Sequence, residues 1–136
     1  MRREDWRKRL GAYVASVRTQ PYQHGLLDSW LFVCDAVEAM TGVDHAEKQR
    51  GRYKTARGGL GIIRRAGADN LAEFVAQHFE EHASPVFAQI GDVMAIPVEG
   101  PFGFALGILN GERVLVVTEH GIDTRDRSEA SRAFKV

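Results

Sequence analysis

The stretch Tyr22-Gln23-His24-Gly25-Leu26-Leu27-Asp28-Ser29-Trp30-Leu31-Phe32-Val33-Cys34-Asp35-Ala36-Val37-Glu38-Ala39-Met40-Thr41-Gly42 decides how the chain is read. A turn bearing Pro21 and Gly25 runs into Asp28, a strong N-cap residue. The spacing predicts a helix over about 29–41, closed by Gly42 in the usual stop position. Trp30, Val33, Val37 and Met40 form its apolar stripe, with Leu31 and Cys34 beside it. So wide an apolar surface predicts a mostly buried helix. Ser29 falls in the first turn, where free N–H groups and the positive end of the dipole favour an anion. Cys34 lies about a turn deeper, and its apolar neighbours mark it as a small hydrophobe rather than a reactive thiol.

On the N-terminal side, residues 4–18 read as an amphipathic helix with Trp6, Leu10, Tyr13, Val14 and Val17 on one face. On the C-terminal side, residues 48–68 carry seven basic residues, no acidic one and five glycines. Within that segment Arg50, Arg52, Tyr53, Lys54 and Arg57 are the candidate interaction residues. A phosphate- or nucleic-acid-binding patch is one reading. A mobile connection, then a short helix with Leu60, Ile62 and Ile63 facing inward, is the other. Gly58-Gly59-Leu60-Gly61 lacks a Walker-type lysine and a preceding strand. The balance of 18 basic and 18 acidic residues also gives no general pull toward nucleic acid. The connection, or a contact with another protein, is the preferred reading.

Asn70 and Glu73 suggest a capping box for a further helix, with Leu71, Phe74, Val75, His78 and Phe79 inward. His78 and His82 are the only histidines at i, i+4, but no supporting carboxylate pattern makes them a metal site. Ser84-Pro85 breaks the helical pattern. Val93–Ile96, Phe104–Leu109 and Arg113–Thr118 then read as strands, with Asn110-Gly111 as a hairpin signal. Residues 121–125 and 132–136 are candidates for one or two more. Helices first and an antiparallel sheet second define an α+β domain. One domain over 1–136 is expected, helical to about residue 83 and sheet from about 88.

The single cysteine excludes an internal disulfide and a multi-thiolate zinc site. No cofactor motif is present. No apolar run reaches the ~20 residues of a membrane span. The charged Met1-Arg2-Arg3-Glu4-Asp5 start lacks a signal-peptide apolar region, so synthesis in the cytoplasm is expected.

Three features together resemble the NlpC-type papain-like peptidase fold, and in particular a branch of small proteins encoded among siphophage tail-tip genes. His24-Gly25-Leu26-Leu27-Asp28-Ser29, followed by Thr41-Gly42-Val43-Asp44, is similar to that family's Gly-x-x-Asp-Cys helix start and Thr-Gly-x-Asp exit. Arg50-Gly51-Arg52-Tyr53 is similar to an Arg-Gly-x-Tyr element of the phage branch. Ile90-Gly91-Asp92-Val93 looks like the Gly-Asp that opens the first sheet strand, with Ala105-Leu106-Gly107-Ile108 following. Ala133-Phe134-Lys135-Val136 resembles the branch's last strand. The resemblance covers nearly the whole chain.

The departures bear on function. Where the family has its cysteine this chain has Ser29, and the strand that should begin with the basic histidine begins with Phe104. An engineered cysteine-to-serine change would explain Ser29 but not the missing histidine. A serine hydroxyl needs a positioned base even more than a thiol does. His24 and His120 are the only candidates for one. The resemblance therefore implies a degenerate peptidase fold serving as a structural part of a phage tail tip, with other tail-tip or hub proteins as partners and the virion as its destination. The alternatives are a cell-wall peptide hydrolase using position 29 and a nucleic-acid-binding accessory acting through residues 48–65.

Overall fold

A computed structural model describes all residues, Met1–Val136. Four helices, α1 (Trp6–Val17), α2 (Ser29–Thr41), α3 (Ala56–Arg65) and α4 (Leu71–Ala76), precede five strands. The strands are β1 (Val93–Pro97), β2 (Phe104–Asn110), β3 (Arg113–Thr118), β4 (Gly121–Asp126) and β5 (Arg132–Phe134). They form one fully antiparallel sheet in the order β4-β3-β2-β1-β5. The molecule is α+β, with its helices packed on a C-terminal sheet.

α2 is the central element. The Asp28 carboxylate accepts the Leu31 N–H at 2.9 Å, and Gly42 ends the helix at φ 82 with its N–H on the Glu38 carbonyl. Nine of its thirteen residues are buried, and Phe32, Val33, Cys34 and Ala36 have no exposed surface. Each large apolar side chain placed here stabilises the fold by roughly 1.5–3 kcal/mol. α1 packs along one side, while Val93, Ala95, Leu106, Ile108, Val117 and Phe134 of the sheet meet α2 on the other.

The opposite sheet face has its own core of Met94, Ile96, Leu109, Val114, Val116 and Ala133, joined by Ala88 and Ala130. Connectivity explains how that face is covered. β4 and β5 lie at opposite edges, yet only residues 127–131 join them. Four strand spacings across a flat sheet span about 19 Å. A five-residue link containing a 3₁₀ turn reaches roughly 16 Å. The sheet therefore curls around this second core, and the link straps it. Arg127 donates to the Val86 and Ala88 carbonyls, and the Ser131 N–H donates to Ala95. Gly107 permits the curl, since a Cβ there would lie 2.5 Å from the Val114 side chain and 2.4 Å from the Leu115 carbonyl.

The structure moves some sequence expectations. α4 stops at Ala76, so His78 and Phe79 follow the helix rather than extend it; the His78 N–H turns back to Val75 at 2.9 Å. Asn70 caps α4 through the Glu73 N–H, but the Glu73 carboxylate reaches Arg132 instead of closing a capping box. In the β2–β3 hairpin Asn110 pairs with Arg113, so the two-residue loop is Gly111-Glu112, one step later than Asn110-Gly111. Gly111, at φ 77, supplies the backbone shape that the loop requires. No helix is long and apolar enough to cross a membrane.

Candidate functional site

A cleft of about 230 Å³ opens where the start of α2 meets α3, residues 22–24 and the β1–β2 loop. Ser29, Asp28, His24, Phe104 and Tyr53 all line it, so five of the candidate site residues share one site.

Asp28 is held from three sides. Besides the Leu31 N–H, its carboxylate accepts the Gly25 N–H at 3.1 Å and the Tyr53 hydroxyl. Gly25 is required because it sits at φ 79 with the Tyr53 carbonyl pressed against it; a Cβ would fall 1.8 Å from that oxygen. Tyr53 is thus a brace for the start of α2 rather than a surface contact. Burial, and then the Asp28 charge, push its phenol well above the usual tyrosine range.

Ser29 is nine-tenths buried. Tyr22 lines the cleft with it, its phenol oxygen near the Ser29 backbone N–H and side chain but hydrogen-bonded to neither. Those contacts favour the ionised phenol, but burial and then the Asp28 charge outweigh them and push Tyr22 up to about 12. Tyr22 is therefore a neutral hydroxyl at physiological pH. The His24 ring stands edge-on to Tyr22 at 5.0 Å and stacks on Phe102 at 6.4 Å. Ser29 makes no hydrogen bond to a histidine. Phe104, at the start of β2, closes the wall with an apolar ring. His120 lies far from this place in sequence and in role. It is an exposed residue in the β3–β4 turn, 3.2 Å from Glu119, and it does not line the cleft. Cys34 is fully buried, and burial raises its thiol far above the ordinary range.

The basic segment divides in two. Arg50 is half-buried and tied to its own chain, bonding Asp44 at 2.8 and 3.0 Å and Asp35 at 2.5 Å, while Tyr13 donates to Asp35 at 3.0 Å. Its guanidinium holds the Asp44 carboxyl below the usual range; burial nonetheless leaves Asp35 raised. Arg52, Lys54 and Arg57 remain exposed. α3 does turn Ile63 inward beside the half-buried Leu60 and Ile62, as the short-helix reading expects.

Sequence reading missed a second polar centre. Asp92, 3% exposed, accepts from Arg2 at 2.8 Å, from the Val136 N–H at 3.1 Å and from the Gln89 N–H at 2.9 Å, and it meets His82 Nε2 at 2.8 Å. Arg2 also donates to the Ile90 and Val136 carbonyls. Both chain ends are thereby tied to the turn before β1. The Gly91-Asp92 pair signals a strand start, but no local pattern announces partners at positions 2, 82 and 136.

His45 and His78 belong to neither site. They pack around Trp30, Phe74 and Phe79, with ring centres at 4.4 Å for His45–Phe79 and 4.9 Å for His78–Trp30. Burial lowers both imidazoles below their ordinary value. The folded state therefore binds fewer protons than the unfolded chain once pH falls to about 6.5. Stability is expected to be flat above that pH and to drop below it, before the carboxylates begin to protonate near pH 5. Urea midpoints between pH 8 and 5.5 check this, and a His45→Gln/His78→Gln variant should lose most of the slope.

An α+β domain with a partly apolar cleft at a capped helix start is the class that this geometry defines. The chain belongs to the family described as a domain of unknown function, DUF6950, whose family model matches residues 1–136. No curated protein matches it.

Proposed function

We propose that this chain is a non-catalytic binding and assembly module: a structural component of a siphophage tail tip, built on an NlpC-type papain-like scaffold that has lost its chemistry. The observation that carries the reading is the pairing at the cleft. Ser29 shares the cleft with the Tyr22 phenol and bonds no histidine, and Phe104 stands where the resemblance calls for one. A phenol that burial keeps neutral is no base for a serine hydroxyl. A scaffold and its site are separable, so the fold can persist as a binding element. Its partners on this reading are neighbouring tail-tip or hub proteins, and its location is the virion.

One observation favours the second reading, a cell-wall peptide hydrolase: His24 shares the cleft with Ser29. Its ring is engaged by Tyr22 and Phe102, which weighs against it as the base. The nucleic-acid reading loses Arg50 to internal ion pairs. The test is composition and activity together. Purified particles should contain this chain at the tip, and the isolated protein should clear no cell-wall substrate in a zymogram. Particles lacking the chain would end the assembly reading. Clearing that disappears in Ser29→Ala would establish the hydrolase instead.

A further inference from the structure

The cleft's chemistry also selects what it can hold. Its lining contains no lysine and no arginine, although the chain has 18 of them. It contains two carboxylates. Asp28 is consumed by its three donors, whereas Glu99, on the exposed β1–β2 loop, has no partner in the chain. The loop is a fixed one: the Val98 N–H bonds Gly103, and the Phe102 carbonyl accepts the Leu71 N–H at 2.9 Å. Aromatic rings line the space, with Trp30 and Phe74 buried in its floor and Phe102 and Phe104 partly exposed in its wall. The one feature that would invite an anion, the positive end of α2, is already met by the Asp28 carboxylate.

An aromatic-walled space with a free carboxylate and neither lysine nor arginine suits an apolar group that ends in a positive charge. From this charge complementarity we infer that the cleft docks an extended segment of a partner protein, with an apolar side chain seated against Phe102 and Phe104 and an adjacent lysine paired with Glu99. The inference rests on the cleft being a binding element rather than an active site. It adds the partner's chemistry: apolar and cationic, never acidic.

The test uses the ¹⁵N-labelled protein and three blocked tetrapeptides of the form Gly-Leu-X-Gly, with X lysine, norleucine or glutamate. Each is titrated to about 5 mM, a range that captures millimolar binding, while the Trp30 indole N–H and the Gly103 amide are followed. The lysine peptide is expected to shift both signals. The norleucine peptide should bind about three- to tenfold more weakly, and the glutamate peptide should leave them unmoved. Glu99→Gln, on an exposed loop, should lower lysine-peptide affinity to the norleucine level. No shift with any peptide, equal binding of all three, or an unchanged preference in Glu99→Gln would each overturn the inference. So would n-butylamine binding as tightly as the lysine peptide, which would make this a small-amine site. Hydrolysis of cell wall by the wild-type protein would instead defeat the non-catalytic reading, and that result is scored independently of these titrations.

Discussion

Asp92→Ala is expected to lower folding stability by about 3–5 kcal/mol, the cost of removing one partner from a buried, hydrogen-bonded charge pair. The carboxylate is the only acceptor shared by the Arg2 guanidinium, the Val136 and Gln89 N–H groups and the His82 ring. Without it a guanidinium with little exposed surface keeps its charge and loses its counterion. The two chain ends also lose the tie between them, so fraying of residues 1–5 and 132–136 should accompany the loss. Urea unfolding of the variant beside Glu119→Ala measures the effect. Glu119 is exposed, and its replacement should stay within about 0.5 kcal/mol of wild type. A loss below about 1 kcal/mol at Asp92 would mean that this network is an ornament of the fold, not one of its anchors. A cycle with His82→Gln should show non-additivity, since both act on the same oxygen pair.

Asp28→Ala carries the second large effect, expected at about 3 kcal/mol. Loss of the N-cap to α2 accounts for about 1 kcal/mol of it. The remainder comes from the Gly25 N–H and the Tyr53 hydroxyl, which would be left without an acceptor in a part-buried place, at about 1–3 kcal/mol for such orphaned groups. The origin of that remainder is separable. In a Tyr53→Phe background the hydroxyl is already gone, so Asp28→Ala should cost about 1 kcal/mol less than it does in wild type. Equal costs in the two backgrounds would show that Tyr53 does not brace the helix start. The same experiment bears on the Arg50–Tyr53 element, two of whose residues brace the fold: Arg50 through Asp35 and Asp44, Tyr53 through Asp28.

The legible parts of this fold were those written in short-range patterns. α2 could be read from Asp28 to Gly42 because the cap, the stripe and the stop all lie within one stretch. The antiparallel sheet followed from apolar runs with turn residues between them. The hairpin register came out one residue late, because Asn-Gly marks a turn without saying which of its residues belongs to the strand. α4 ends early despite the continuing apolar pattern. Phe79 is buried just beyond the helix, and periodicity does not distinguish a longer helix from a turn that places the same side chain inward.

The site was half legible. Asp28 and Ser29 stood out by position, and His24 by proximity in sequence. Phe102 and Glu99, across the cleft from Ser29, depend on a loop some seventy residues away folding over α2. The spacing of residues along the chain holds no information about that approach. The Asp92 centre was hidden for the same reason, since its partners come from both ends of the chain. Arg50 was misleading because a basic run looks like a surface until the acidic residues that neutralise it, Asp35 and Asp44, are placed beside it.

The central claim is that the cleft lacks a base, not merely a better nucleophile. Cell-wall zymography of Ser29→Cys tests it most directly, because a thiol put at position 29 would use any histidine able to serve it. The account predicts no clearing, since the residue beside position 29 is the Tyr22 hydroxyl and the wall is Phe104. Clearing by Ser29→Cys that is abolished on adding His24→Ala would contradict it, and would show that the catalytic machinery survives with only its nucleophile exchanged.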